Sequence, residues 1–404
     1  MIADPPAQLY RYYQQSELLP TFARLQNAEQ LDAYEAQRAA VFEKRLHLPR
    51  RSFAGADLLE FGPDSGENAL VFARWGASLT LAEPNPHCWE QIERYFQTFE
   101  LSHRLLDVDH RDIESFDAAL QFDFIDAEGF IYTVRPESIW MHQFARLLRP
   151  GGLFLVSYYE AAGALFELLH RALFARFKDL ARMDSLAAAH QLFQPKWDSI
   201  PHTRAFDSWV MDVLENPFVR LRYFFNAAQL CRQLAGFGFE LYSSWPRYED
   251  GLSLQWHKQA DRAETTLERN EQFIQASCLS HALGRKLFIG ALTQPERQRV
   301  ADTLRSLIES VDGLIDRFDA PAIGDCLPKV DELIAVVRDQ RVIAESENDR
   351  DAAAVALNSL ANTLRLVLAG AADGLVEHCR KDAAFLGTWG APAHLAVFQK
   401  EASQ

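Results

Sequence analysis

Two short stretches constrain the fold more than anything else in the chain. They are Asp57-Leu58-Leu59-Glu60-Phe61-Gly62-Pro63-Asp64-Ser65-Gly66 and, after one helix-length gap, Leu79-Thr80-Leu81-Ala82-Glu83-Pro84-Asn85-Pro86. The first reads as a buried strand that breaks into a glycine-bearing turn before an amphipathic helix. The second reads as another apolar strand that stops on an acid. Strand, tight turn, helix and a strand ending in a carboxylate make up a nucleotide-binding half-fold. The turn lets backbone approach a ligand closely, and the carboxylate can accept hydrogen bonds from both hydroxyls of a ribose.

The pattern continues downstream. Strands are expected at 57–61, 78–83, 104–108, 121–126, 152–158, 239–244 and 252–258. Helices are expected between them, notably at 66–75, 86–99, 137–148, 161–182 and 226–236. Such alternation implies a mostly parallel sheet with helices on both faces. Arg149-Pro150-Gly151-Gly152 reads as a turn that launches the apolar run Leu153–Ser157. Residues 245–251 are too few for a helical crossover, so the last two strands are expected to form an antiparallel pair. Residues 8–50 read as a helical lead-in ending at Leu48-Pro49. Beyond about 260 the texture changes to that of a helical bundle, with Val300, Leu304, Leu307, Ile308, Val311, Leu314, Ile315 and Phe318 on one stripe. Further helices are expected at 327–346 and 350–384, and Trp389–Phe398 as a turn and short strand. The expected division is a lead-in at 1–54, an α/β domain at 55–259 with an insertion at 159–225, and a helical domain at 260–404.

Composition narrows the function classes. A net charge of −15 supplies no basic excess to replace phosphate counterions, so a nucleic-acid partner is disfavoured. The five cysteines, Cys88, Cys231, Cys278, Cys326 and Cys379, show no metal-ligand spacing, so no metal site is expected. They suit reduced thiols in the cytoplasm. The first residues lack the basic and apolar regions of a signal peptide, and no apolar run reaches the length of about 20 residues that a membrane span needs.

A dinucleotide fingerprint would require G-x-G-x-x-G, and two of its three glycines are missing here. The pattern Leu59-Glu60-x-Gly62-x-x-x-Gly66 instead resembles the first motif of the class I S-adenosylmethionine-dependent methyltransferases. The resemblance extends over about 55–258. Glu83 matches the ribose-binding acid, Asp112-Ile113 the segment after the third strand, and Phe122–Asp126 the fourth strand. Leu147–Gly152 matches the family's turn before the fifth strand, and Leu234–Glu240 its approach to the antiparallel pair. One departure is Asp64, where the family commonly has glycine. Asp tolerates left-handed backbone better than most residues, so the turn can survive.

The resemblance implies a Rossmann-like seven-stranded methyltransferase sheet, here with a C-terminal α-helical domain, and S-adenosyl-L-methionine as cofactor. It places Glu60, Gly62, Asp64 and Gly66 at the methionyl part, Glu83 at the ribose, and Pro84 and Asn85 beside the adenosine. Asp112 and Ile113 would line the adenine, and Ala127, Glu128 and Gly129 would lie near the methyl group.

An oxygen acceptor must lose a proton to a base within reach, whereas an amine needs only to arrive unprotonated. Candidate bases are His202, with His170 and Glu128 as alternatives. The insertion supplies Tyr158 at its mouth and a cluster holding Arg204, Asp207 and Trp209, suited to a polar acceptor. Arg204 can pair with an anion and Trp209 can stack on a sugar or ring. The cluster is equally readable as a structural loop, and His170 as a helix-surface residue. The expected acceptor is a small molecule or glycan. Protein methylation and a non-catalytic cofactor-binding scaffold are the alternatives, the last favoured by Asp64. The C-terminal helices offer bundle core or a homo-oligomer interface.

Overall fold

The computed structural model describes Tyr12 and residues 25–200, 205–249 and 266–402. The strands are β1 (Asp57–Phe61), β2 (Ser78–Ala82), β3 (Leu105–Asp109), β4 (Phe122–Ala127), β5 (Leu148–Tyr159), β6 (Phe239–Trp245), β7 (Leu287–Phe288), β8 (Ile343–Ala344) and β9 (Ala393–Lys400). Seven of them form one sheet in the order β3-β2-β1-β4-β5-β9-β6, and β7 pairs with β8 alone. The chain divides into two compact units. The first comprises residues up to 158, 229–248 and those from 394 on; the second comprises 159–228 and 249–393.

In the first unit β1, β2, β3, β4 and β5 pair in parallel, as their apolar runs require. Helices α1 (Ala28–Lys44), α2 (Glu67–Arg74), α3 (Pro86–Thr98) and α4 (Ser138–Leu147) belong to the same unit. Side chains alternate along a strand, so Leu58 and Phe61 serve opposite faces. Leu58 joins a core containing Phe42, Phe53, Phe72, Trp75 and Phe124. Phe61 stacks on Phe144, which packs edge-on to Phe154. Phe154 in turn meets Phe239 and Phe398. Burying each such ring contributes roughly 1.5–3 kcal/mol.

Two expectations change. The antiparallel partner of β6 is β9, with Phe239 opposite Lys400 and Trp245 opposite Leu395. The last strand of the chain thus completes the sheet, where the sequence reading had paired β6 with 252–258, which lies outside the described residues. Proximity in sequence suggested a hairpin, but 147 residues separate Trp245 from Ala393 and the apolar face of β9 still finds its place. Arg149–Gly152 is also not a turn. It is an irregular, extended start to β5, where Phe122 pairs with Leu148 but Phe124 pairs with Leu153. Arg149 ties this edge down by binding Asp57 and Asp123 at 2.7 and 2.6 Å.

The second unit is helical. Its longest helix, Gln294–Asp316, buries Val300, Leu304, Leu307, Ile308, Val311 and Leu314, the stripe seen in the sequence. Helices at Leu165–Ala181, Ser185–Asp198, Ala320–Arg338 and Glu347–Leu368 share that core. Thr293 and Glu296 close a capping box, and Asp319 and Ser346 cap the next two helices. Arg220 holds Asp312 at 2.9 Å and Asp316 at 2.6 Å. No helix among the described residues is long and apolar enough to cross a membrane.

Candidate functional site

The carboxyl ends of the parallel strands gather the chemistry-bearing residues, as open α/β sheets do. After β1 the chain turns through Gly62 (φ +65°), Asp64 (φ +51°) and Gly66 (φ +91°), all left-handed. A β-carbon at Gly62 would sit 3.0 Å from the Phe130 ring, so this position needs glycine twice over. Asp64 accepts the left-handed conformation and stays compatible with the turn. Its backbone N–H donates to Glu83 Oε2 at 3.0 Å, and that of Asn85 donates to Glu83 Oε1 at 2.7 Å. The acid closing β2 therefore ties the turn after β1 to the start of α3. Each of its oxygens keeps a lone pair for a further donor. Burial pushes the Glu83 carboxyl up to about 8 despite these two amides. Beside it Trp89 donates to Glu83 O at 2.7 Å and stacks on His110 with ring centres 3.4 Å apart.

Glu60 of β1 and Asp126 of β4 are directly opposite in register and therefore share a face of the sheet. Both are buried, at 2% and 0% exposure. Glu60 Oε2 and both Asp126 oxygens lack a hydrogen-bond partner among the described residues. Burial and the neighbouring acids, Glu128 foremost, push both carboxyls up: Glu60 to about 8, and Asp126 well above its ordinary range. Among the described residues one cation enters this group. Arg38 of α1 makes a bidentate bond to Glu128, at 3.2 and 2.5 Å. Tyr34, one turn earlier, donates to Asn68 at 2.7 Å. Glu67 lies at the N-terminus of α2 and accepts from Ser65 at 2.5 Å. Orphaned buried carboxylates beside a glycine turn are fitted to a small cationic ligand bearing N–H donors. The methionyl end of S-adenosylmethionine, with its ammonium and sulfonium charges, is such a group.

The other expected residues scatter. Asn85 caps α3, accepting from His87 at 3.2 Å. Asp112 is exposed and caps a turn at Ser115, 2.8 Å away, while Ile113 is buried. Ala127 is buried at the end of β4. Tyr158, also buried, hydrogen-bonds the Tyr248 hydroxyl. Asp207 is exposed, 3.7 Å from His190. His202 and Arg204 lie outside the described residues.

Two candidates sit in packing positions. Trp209 is buried in the second unit and stacks on Trp197 at 5.3 Å. His170 is not on a helix surface. It is fully buried among Phe193, Phe385 and Trp389, neither ring nitrogen has a partner among the described residues, and burial drives it well towards the neutral form. An enclosed imidazole whose charged neighbour is the buried Lys196 has no path for a substrate proton.

Sequence reasoning missed Arg38 and Asp126 beside the glycine turn. Asp126 was legible, since it ends an apolar strand that must lie beside Glu60's strand. Arg38 carries no local signal, because its partner Glu128 lies 90 positions away in the sequence.

A family model described as a methyltransferase domain matches residues 33–244, more than half of the chain. No curated protein sequence matches it. Among solved structures, the chain is similar to PKMT2 from Rickettsia typhi, at 16% identity and a TM-score of 0.36, over 48% of this chain and 40% of that one. It is also similar to the N-methyltransferase NodS from Bradyrhizobium japonicum WM9, at 21% identity and a TM-score of 0.28, over 37% of this chain and 74% of that one. A third likeness is to the glycopeptide N-methyltransferase MtfA complexed with sinefungin, at 19% identity and a TM-score of 0.27, over 31% and 55% of the two chains. The chain thus spans about half the length or less of two of these three proteins. With the strand order, the glycine turn and the acid closing β2 in place, the family match has one meaning: this chain belongs to the class I S-adenosylmethionine-dependent methyltransferases.

Proposed function

We propose that the enzyme moves the methyl group to an oxygen or nitrogen of a small-molecule or carbohydrate-like acceptor at the carboxyl ends of β4 and β5. The observation that carries the binding half of this reading is the Glu60–Asp126 pair, buried and unsatisfied beside the glycine turn. In this assignment Glu60, Asp126 and the Gly62–Gly66 backbone hold the methionyl end. Glu83 accepts from the ribose hydroxyls, Pro84 and Asn85 flank the adenosine, and Asp112 with Ile113 lines the adenine.

Bound there, the cofactor supplies an electrophilic methyl group. The protein's own work is then to position the acceptor and exclude water. Glu128 is held by Arg38 and serves here as a shaped anion beside the methyl site; a base role would require that pair to open. The acceptor class rests on the residue types that the sequence holds in 159–225, His202, Arg204 and Asp207 among them. A cytoplasmic location and a homo-oligomer through the helical unit belong to the same proposal, the latter checked by light scattering.

Calorimetric titration with S-adenosylmethionine and with its demethylated product tests the binding half. Expected are saturable binding to the wild type and at least tenfold weaker binding to Glu83→Ala. Unchanged affinity in that variant would overturn the ribose assignment. Transfer of a radioactive methyl group into cell fractions then shows whether the product is a small molecule, glycan or protein. Label in protein alone would favour protein methylation.

A further inference from the structure

Three buried polar side chains form a line that the binding site does not use. Tyr158 stands at the carboxyl end of β5, and its hydroxyl meets that of Tyr248, three residues beyond β6. The Tyr248 hydroxyl lies 2.5 Å from Nδ1 of His394, the second residue of β9. Exposure is 4%, 0% and 0% along the line. By register its outer end stands level with the proposed methyl site: Ala127 pairs with Val156, and Tyr158 follows two residues on, on the same face as Val156, beside the chain that continues from β4. Packing alone calls for buried hydroxyls to be bonded, but it does not call for two phenols in series to end on an imidazole.

We propose that Tyr158, Tyr248 and His394 are a proton relay, and that the acceptor is therefore a hydroxyl compound, a phenol or alcohol. This rests on the methyl-transfer reading above. A phenol with a pKa near 10 is a poor base at neutral pH unless it can pass its own proton on to an imidazole near 6.5. Nδ1 of His394 faces the Tyr248 hydroxyl, and the relay requires it to accept from that hydroxyl, in a neutral ring with its proton on Nε2. The acceptor oxygen bonds the methyl carbon, and the carbon–sulfur electron pair stays on sulfur, giving a thioether. The acceptor's proton goes to the Tyr158 oxygen while Tyr158 passes its own to Tyr248 and Tyr248 passes its own to Nδ1. One neutral acceptor and one sulfonium thus become a methyl ether, a thioether and one imidazolium. An amine acceptor would have no use for such a chain, since it can arrive unprotonated.

The test uses the full-length enzyme with radiolabelled S-adenosylmethionine and, as acceptor source, an extract of cells lacking the enzyme. Tyr158→Phe and Tyr248→Phe are each expected to lower label transfer by about 100-fold or more, with cofactor affinity by calorimetry within about twofold of wild type. The wild-type product is expected to be a base-stable, uncharged ether. A base-labile ester, a product retained on cation exchanger as an amine, or full turnover in folded Tyr248→Phe would overturn the relay. Nitrogen-15 histidine spectra of the cofactor-free protein give an independent readout. They should show His394, assigned by its loss in His394→Gln, as the neutral Nε2–H tautomer, with Nδ1 shifted in Tyr248→Phe. A doubly protonated ring at pH 7.5 would overturn the relay even if neither tyrosine variant folds. Absence of cofactor binding by the wild type would instead overturn the underlying methyl-transfer reading.

Discussion

Replacing Glu60 by glutamine should make the ligand-free protein more stable in base while crippling its hold on the cofactor. Glu60 is buried with Oε2 unpartnered, directly opposite Asp126, and its carboxyl is pushed from the ordinary 4.5 up to about 8. Between those values the folded state keeps a proton that the unfolded chain has given up, so stability falls as pH rises. At about 1.4 kcal/mol per pH unit, the whole window costs on the order of 3–5 kcal/mol. The penalty is absent below about 4.5 and complete above about 8. Glutamine has nearly the same shape and never ionises, so the part of the slope due to Glu60 should vanish, while Asp126 retains its own. Thermal unfolding of both proteins at pH 5.5 and 8.5, without cofactor, reads this directly: the wild type should lose several degrees more than the variant. The same charge is expected to pair with the cofactor's ammonium. Losing a charge-assisted hydrogen bond of roughly 1.5–3 kcal/mol should weaken binding by roughly 10- to 150-fold. Parallel pH slopes together with an unchanged dissociation constant would refute the reasoning, since a buried, unsatisfied carboxylate cannot be neutral in both respects.

Other expectations follow from the same geometry. Arg38→Met leaves the Glu128 carboxylate without its cation and adds to an already acidic group, so urea titration should show a loss of roughly 2–4 kcal/mol. His170→Phe removes two unpartnered ring nitrogens from an aromatic surround; it should raise the melting temperature or leave it unchanged, and cofactor binding should not move. Asp64→Gly relaxes a left-handed residue and removes a carboxylate next to Glu83, so cofactor affinity by calorimetry should hold or improve. All five cysteines are buried, so native protein should react with a thiol reagent far more slowly than urea-unfolded protein.

The geometry of the glycine turn was legible because its signals are local. Gly62, Asp64 and Gly66 supply the left-handed backbone of one turn, and Glu83 follows one helix and one strand later, so spacing alone places them together. The acceptor half was not legible for the opposite reason. A histidine in a helical segment looks the same whether it is exposed, catalytic or, as at His170, sealed among aromatic rings. Trp209 likewise offered a stacking surface in sequence and turned out to be stacked already, on Trp197.

By itself the sequence determined the alternation of strands and helices from β1 to β6, the bounds of β1, those of β2 and β4 to within a residue, the glycine turn, and the mainly helical character of the later part of the chain. These follow from apolar periodicity and from the dihedral needs of a few residues, which act over a dozen positions or fewer. The tertiary structure alone decided that β9 closes the sheet beside β6, that Arg38 reaches Glu128, and that Tyr158, Tyr248 and His394 stand in line. Those contacts join residues about 90 to 160 positions apart in most cases. They form because apolar faces and buried polar groups must find complementary partners anywhere in the chain, a requirement that no local pattern encodes.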